Sequence, residues 1–108
     1  METFTQRAVF IIKSIPPGKV MTYGQVARCA GQPRGARQVV RILHSMSEKH
    51  HLPWHRVINS KGGIGMKGTE SCRLQKKLLE DEGISFISDY HLHLERWIYD
   101  PGTEEDAW

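Results

Sequence analysis

The chain has 108 residues, one domain's worth, and its 39% hydrophobic content allows a compact core but supplies no run of 18 apolar residues to span a membrane. Two cysteines, Cys29 and Cys72, stand at no metal-ligand spacing, and the N-terminus lacks a signal-peptide pattern, which argues against a disulfide scaffold or zinc finger and for a reducing cytoplasm. The net charge of +3 conceals an asymmetry: residues 3–69 carry eleven Lys and Arg against one acid, Glu48, whereas residues 70–108 carry four bases and ten acids, so the first two-thirds has the field of a nucleic-acid binder, or of an ordinary solvated basic face.

Residues 4–15 read as a helix, because Phe4, Ala8, Ile11, Ile12 and Ile15 fall on one apolar stripe. Pro16-Pro17-Gly18 stops it. A brief extended stretch, Lys19 to Met21, leads to Thr22, which caps a second helix and forms a capping box with Gln25. That helix is expected to end near Ala30, with Val26, Cys29 and Ala30 inward, before the turn Gly31-Gln32-Pro33. A third helix is predicted from Gly35 to Ser45, burying Ala36, Val39, Val40 and Leu43. Arg34, Arg37 and Arg41, at i, i+3 and i+7, would then form a basic stripe on its outer side. Two short helices, a glycine-containing turn and such a stripe read as a helix-turn-helix.

Ser47 to His51 is polar and reads as a loop; Trp54 to Asn59 reads as short and β-rich. Gly62, Gly63, Gly65 and Gly68 mark a turn region. Thr69 can cap a fourth helix with Leu74, Leu78 and Leu79 on its apolar side and Gly83 as its stop. Ile84 to Ile87 and Leu92 to Ile98 read as short strands or extended tail. The acidic end is expected to fray, which divides the chain into one domain over residues 1–99 and a tail over 100–108. No repeat, low-complexity tract or linker is visible.

Four segments in order carry a resemblance: Pro17-Gly18-Lys19-Val20 with Thr22-Tyr23-Gly24; Ala36-Arg37-Gln38-Val39; Pro53-Trp54-His55-Arg56-Val57-Ile58; and Leu79-Glu80-Asp81-Glu82-Gly83. Together they resemble the C-terminal DNA-binding domain of the O6-alkylguanine-DNA alkyltransferases, whose active-site motif is Pro-Cys-His-Arg-Val. With Trp54 in place of the cysteine, the chain is more similar to the alkyltransferase-like proteins, the non-enzymatic branch. The implied fold is mostly α with short β segments, a winged helix-turn-helix-like domain. The implied function is recognition of O6-alkylguanine in double-stranded DNA from the minor groove, by flipping the damaged base into a pocket. The resemblance also implies a monomer, nucleoid association, no cofactor, and handover to nucleotide excision repair proteins.

Residue by residue, the resemblance makes Arg37 the arginine that fills the gap left by the flipped base. Gly35 and Ala36 are small enough for the helix to approach a narrow groove, and Arg34, Gln38 and Arg41 extend the DNA contact. Tyr23 matches the tyrosine that presses the backbone of the flipped nucleotide. Trp54 would line the pocket, Val57 its back wall, and Lys67 the loop that covers it. His55 and Glu82 match the proton relay of the enzymes, here with no thiolate to serve. Arg56 reads as a brace for the loop. Indole N–H is a donor without a usable lone pair, so no residue is expected to be catalytic.

Three departures from the enzyme pattern point to a roomier and less selective pocket: Trp54 itself, the absence of a hinge asparagine in His44 to Leu52, and Met66-Lys67-Gly68 in the pocket loop. The alternatives are a general or sequence-specific helix-turn-helix protein and a residual alkyltransferase using Cys72 or Cys29. A metal site among His50, His51 and His55 is disfavoured because Pro53 forbids the helix that would give their spacing meaning, and His91 and His93 read as surface histidines.

Overall fold

The computed structural model describes residues 3–65 and 69–101. Lys67 and the acidic residues 102–108 lie outside them. The first helix, α1, covers Phe4–Ser14. It opens on a capping box absent from the sequence reading: Thr3 Oγ1 accepts from the Gln6 N–H at 3.1 Å, and Gln6 Oε1 accepts from the Thr3 N–H at 2.9 Å. Its stripe buries Ala8, Ile11 and Ile12, with Ile15 just beyond. Strand β1, Met21–Thr22, follows and runs straight into α2, Tyr23–Cys29, capped by Thr22 and Gln25 as expected.

The turn at Gly31, whose φ is +97°, leads to α3. This helix covers Ala36–His50, so it begins one residue later and ends five residues later than the sequence suggests. Two expectations change with it. Ser47 to His51 is not a loop: nothing there breaks a helix before Pro53, and polar residues suit its outer face. Arg34 precedes the helix, because Gly35 is its N-cap, so only Arg37 and Arg41 share a helical face. The helix ends at His51 in the left-handed conformation, φ 52°, and the His51 and Leu52 N–H groups both donate to the Ser47 carbonyl.

Trp54–Arg56 forms a 3-10 turn rather than an extended segment, and β2, Val57–Ile58, follows it. The turn is set by Pro53, whose carbonyl accepts from the Arg56 N–H at 3.0 Å. Strand β2 pairs in parallel with β1, Met21 opposite Val57 and Thr22 opposite Ile58. Helix α4, Glu70–Asp81, is capped by Thr69, whose hydroxyl accepts from the Cys72 N–H, and stops at Gly83, φ +96°. Its buried side is Cys72, Gln75 and Leu79; Leu74 is exposed, contrary to the predicted stripe. The hairpin of β3, Phe86–Ser88, and β4, His91–Leu92, is antiparallel. Leu92 to Ile98 does not continue as a strand; residues 94–97 make a one-turn helix, α5 (Leu94–Trp97), before Ile98 bridges Val20.

Two apolar clusters result. One holds α1, α2 and α3 together through Ile12, Val26, Val39 and their neighbours. The other joins Val20, Ile58, Ile64, Cys72, Leu79 and Leu92 between α4 and the hairpin. Burying each such Ile, Val or Leu side chain contributes about 1.5–3 kcal/mol. Val20 and Met21 belong to different clusters, and so do Val57 and Ile58. The short β1–β2 pair is thus the seam between them, because successive strand residues face opposite sides. No helix among the described residues is long and apolar enough to cross a membrane.

Candidate nucleic-acid interface

The predicted pairing of His55 and Glu82 is present: His55 Nε2 lies 2.7 Å from Glu82 Oε2. Glu82 is also held from two other sides. Arg56 donates to it through Nε at 3.1 Å to each oxygen and through Nη2 at 2.7 Å, and the Gly18 N–H donates to Oε1 at 2.9 Å. Partial burial raises the Glu82 pKa, but the Arg56 fork, the Gly18 N–H and His55 together outweigh it and bring the value down to about 2. The carboxylate is therefore ionised and acceptor-only at neutral pH, so the facing His55 nitrogen carries the proton and donates. Arg56 also donates through Nη1 to the Ile15 carbonyl at 3.0 Å, which ties the 3-10 turn to the end of α1. This is the bracing role expected of it.

Gln75 completes the frame. Its Nε2 donates to the His55 and Val57 carbonyls at 3.1 and 3.2 Å, so α4 fixes the backbone on both sides of Arg56. The sequence reading passed over Gln75. The available signal was its position on the apolar face of α4, three residues after Cys72 and four before Leu79, where a polar residue needs a buried partner.

Tyr23, Trp54, His55 and Val57 line one cleft of about 1610 Å³, walled further by Leu43 and Leu52. Typical small-molecule pockets are about 300–1,000 Å³, so this cleft has room for more than a bare nucleobase. Trp54 is half-buried, and its ring meets the His55 imidazole edge-on at 6.2 Å and 85°. Val57 is 1% exposed and forms part of the wall. Glu82 lies behind His55, off the cleft surface. Tyr23 occupies the first position of α2, where Thr22 caps, and burial pushes its hydroxyl pKa up, so it remains a donor.

The α3 N-terminus carries a second, smaller hollow of about 530 Å³, lined by Arg34, Gly35, Arg37 and Gln38 with Gln32 and Pro33. Arg34, Arg37, Gln38 and Arg41 are exposed, Ala36 is half-buried and Gly35 is buried. A Cβ on Gly35 would sit 3.0 Å from Phe4 Cζ and 3.1 Å from the Gln32 carbonyl oxygen, so its small size suits the tight packing inward. Arg37 and Arg41 thus stand on the solvent side of a helix whose other side packs into the core, and Arg34 lies exposed just before it.

Neither thiol lines the Trp54 cleft among the described residues. Cys72 is fully buried, its sulfur 3.8 Å from the Ile64 carbonyl oxygen. The Cys29 pKa is raised by burial, lowered by Arg28 and raised again by Asp100, for a net upward shift. A raised pKa leaves less thiolate, the reactive form.

The model of the 6-O-methylguanine DNA methyltransferase DNA-binding domain matches residues 3–84. The chain is 42% identical over 96 residues to the DNA base-flipping protein of Escherichia coli (strain K12), covering 89% of this chain and 74% of that protein. It is 37% identical over 106 residues to alkyltransferase-like protein 1 of Schizosaccharomyces pombe, covering 94% and 98%. The solved structure of S. pombe Atl1 in complex with damaged DNA containing O6-carboxymethylguanine superposes with a TM-score of 0.82 at 36% identity, covering 94% of this chain and all of that one. The family match over residues 3–84 and the likeness to these base-flipping and alkyltransferase-like proteins agree: the chain belongs to the family of the 6-O-methylguanine DNA methyltransferase DNA-binding domain, in its alkyltransferase-like branch.

Proposed function

We propose that this chain recognises O6-alkylguanine in double-stranded DNA and does not repair it. One observation carries the reading: Trp54 lines the cleft beside His55, and by its place in the Pro-Trp-His-Arg-Val motif it replaces the family's acceptor cysteine, so that the His55–Glu82 pair has no nucleophile to activate. Arg37 enters the minor groove and fills the space of the flipped base, while Arg34, Gln38 and Arg41 hold the flanking backbone. Tyr23 presses the phosphate side of the extrahelical nucleotide. Trp54 offers the base a flat face worth about 1–3 kcal/mol, which offsets part of the cost of flipping. Val57 closes the back, and Lys67 covers the front. His55 and Glu82 serve as architecture: with Arg56 they fix the turn that presents Trp54. The protein works as a monomer without a cofactor, and the held, distorted duplex is the signal passed to nucleotide excision repair proteins.

The test is fluorescence anisotropy with one duplex carrying guanine or O6-methylguanine at a single position, followed by intact-mass analysis of the protein. Lesion-selective binding that Arg37→Ala abolishes, with no mass gain, is the expected result. Equal binding to both duplexes would reduce the protein to a general DNA-binding module. A gain of one methyl would restore an enzyme.

A further inference from the structure

Gln75 is 4% exposed and sits on the inward side of α4 between Cys72 and Leu79. A carboxamide so buried is costly unless its polar atoms are used. Nε2 carries two N–H donors, and they go to the His55 carbonyl at 3.1 Å and the Val57 carbonyl at 3.2 Å. Carbonyl oxygens only accept, so these two contacts fix which end of the amide is nitrogen. Oε1 is then the atom beside Gly65, where an added Cβ would lie 3.3 Å from it. The same stretch of α4 meets this glycine through Cys72, whose Cα and Cβ would each be 3.3 Å from that added Cβ. His55, Val57 and Gly65 all line the cleft. One buried amide therefore bears on two segments of the cleft wall.

From this geometry we infer that Gln75 is a positioning residue for lesion recognition: by holding the His55 and Val57 carbonyls it presets the 3-10 turn that presents Trp54, and so sets the preference for damaged over undamaged DNA. It acts through the turn, not by contact with a base. The inference rests on the proposed recognition of O6-alkylguanine and adds to it a residue outside the Pro-Trp-His-Arg-Val motif. The Arg56–Glu82 clamp grips the turn by a side chain; Gln75 grips its backbone on both sides of Arg56. A turn already held in place need not be ordered when a base arrives, so more of the stacking on Trp54 remains to offset the cost of flipping. Attraction of an undamaged duplex to the arginines of the helix-turn-helix draws on none of this.

The experiment measures the affinity ratio between duplexes carrying O6-methylguanine and guanine at one position, for wild type, Gln75→Met and Gln75→Lys, with urea denaturation of each to show that it is folded. Gln75→Met keeps the length of the side chain and removes its donors. It is expected to lower the ratio about fivefold, the scale of one net hydrogen bond, with unchanged affinity for the guanine duplex. Gln75→Lys has donors and no acceptor, so it can hold both carbonyls and is expected to restore most of the ratio. Its added charge acts on both duplexes alike and cancels. Should Gln75→Met not fold, Gln75→Asn takes its place, because an amide one methylene shorter cannot reach both carbonyls. An unchanged ratio in the donor-deficient variant, an equal loss on both duplexes, or a Gln75→Lys ratio as low as that of Gln75→Met would overturn the positioning role while leaving lesion recognition intact. A wild type without preference for O6-methylguanine would overturn both readings.

Discussion

At the scale of single residues, Glu82 acts as a structural clamp. One carboxylate accepts from Arg56, His55 and the Gly18 N–H, which belong to the 3-10 turn and to the loop after α1. Its pKa is depressed to about 2 from an ordinary 4.5. A depressed folded-state value means that the clamp's stabilisation is complete above the unfolded-state value and is lost as pH falls from about 4.5 towards 2. The shift corresponds to a contribution on the order of 3 kcal/mol at neutral pH. Urea denaturation of wild type and Glu82→Gln across pH 2–7 checks this. The variant should be the less stable at pH 7, and the two curves should converge near pH 2; a constant gap would separate the clamp from the ionisation of Glu82. Trp54 tests the other half of the motif. Trp54→Ala removes a stacking face worth about 1–3 kcal/mol, so lesion-selective affinity should fall by about 5- to 150-fold. Undamaged DNA, which offers the cleft no lesion to hold, should bind as before, and an equal loss on both duplexes would assign Trp54 to folding instead.

Elements here are set by their ends, and the ends also explain what the sequence disclosed and what it withheld. The Thr22–Gln25 and Thr69 caps and the Gly83 stop were legible because a cap is a local pattern of side-chain oxygen and backbone N–H. The end of α3 was not, since it rests on His51, a non-glycine residue in the left-handed region that no composition signal announces. The roles of Gln75 and of the Gly18 N–H were hidden for a different reason: their partners lie 18 or more positions away, and only the tertiary fold brings them together. Trp54, His55 and Glu82 were readable through the motif alone, whereas Lys13 of α1 and His44 of α3 line the same cleft without one. Two backbone positions make opposed predictions. His51→Gly should raise stability by about 1 kcal/mol, because a left-handed backbone penalises a side chain by about 1–2 kcal/mol and glycine loses somewhat more entropy on folding. Gly62→Ala should lower it by more than about 2 kcal/mol, for φ there is +82° and the new Cβ would lie 2.6 Å from the Leu92 carbonyl oxygen. Thermal denaturation of both variants decides, and a stabilised Gly62→Ala would contradict the tight approach of that turn to β4.

Over the whole molecule, charge and architecture divide along the same line. The basic residues 3–69 build α1, the helix-turn-helix and the cleft turn, while the acidic remainder begins with α4 and the hairpin. The seam at β1–β2 joins a DNA-facing half to a half that supplies the frame, through Glu82 and Gln75, but none of the proposed groove contacts. This division predicts how binding responds to salt. Each neutralised phosphate releases condensed counterions, so the logarithm of the affinity falls against the logarithm of salt with a slope of about −0.9 per contact. If Arg34, Arg41 and one further base of the first half each hold a phosphate, affinity should drop by about 40-fold between 50 and 200 mM salt. Arg41→Ala should make the slope shallower by about one unit and weaken damaged and undamaged duplexes alike. Arg37→Ala should instead leave most of the slope and collapse the ratio between the two duplexes, because a residue that fills the gap of a flipped base acts only where a base has flipped. A salt series on both variants with both duplexes therefore separates the residue that attracts DNA from the residue that opens it. A flat salt response in wild type would remove the electrostatic account of the basic half, and identical behaviour of the two variants would make Arg37 one more phosphate contact.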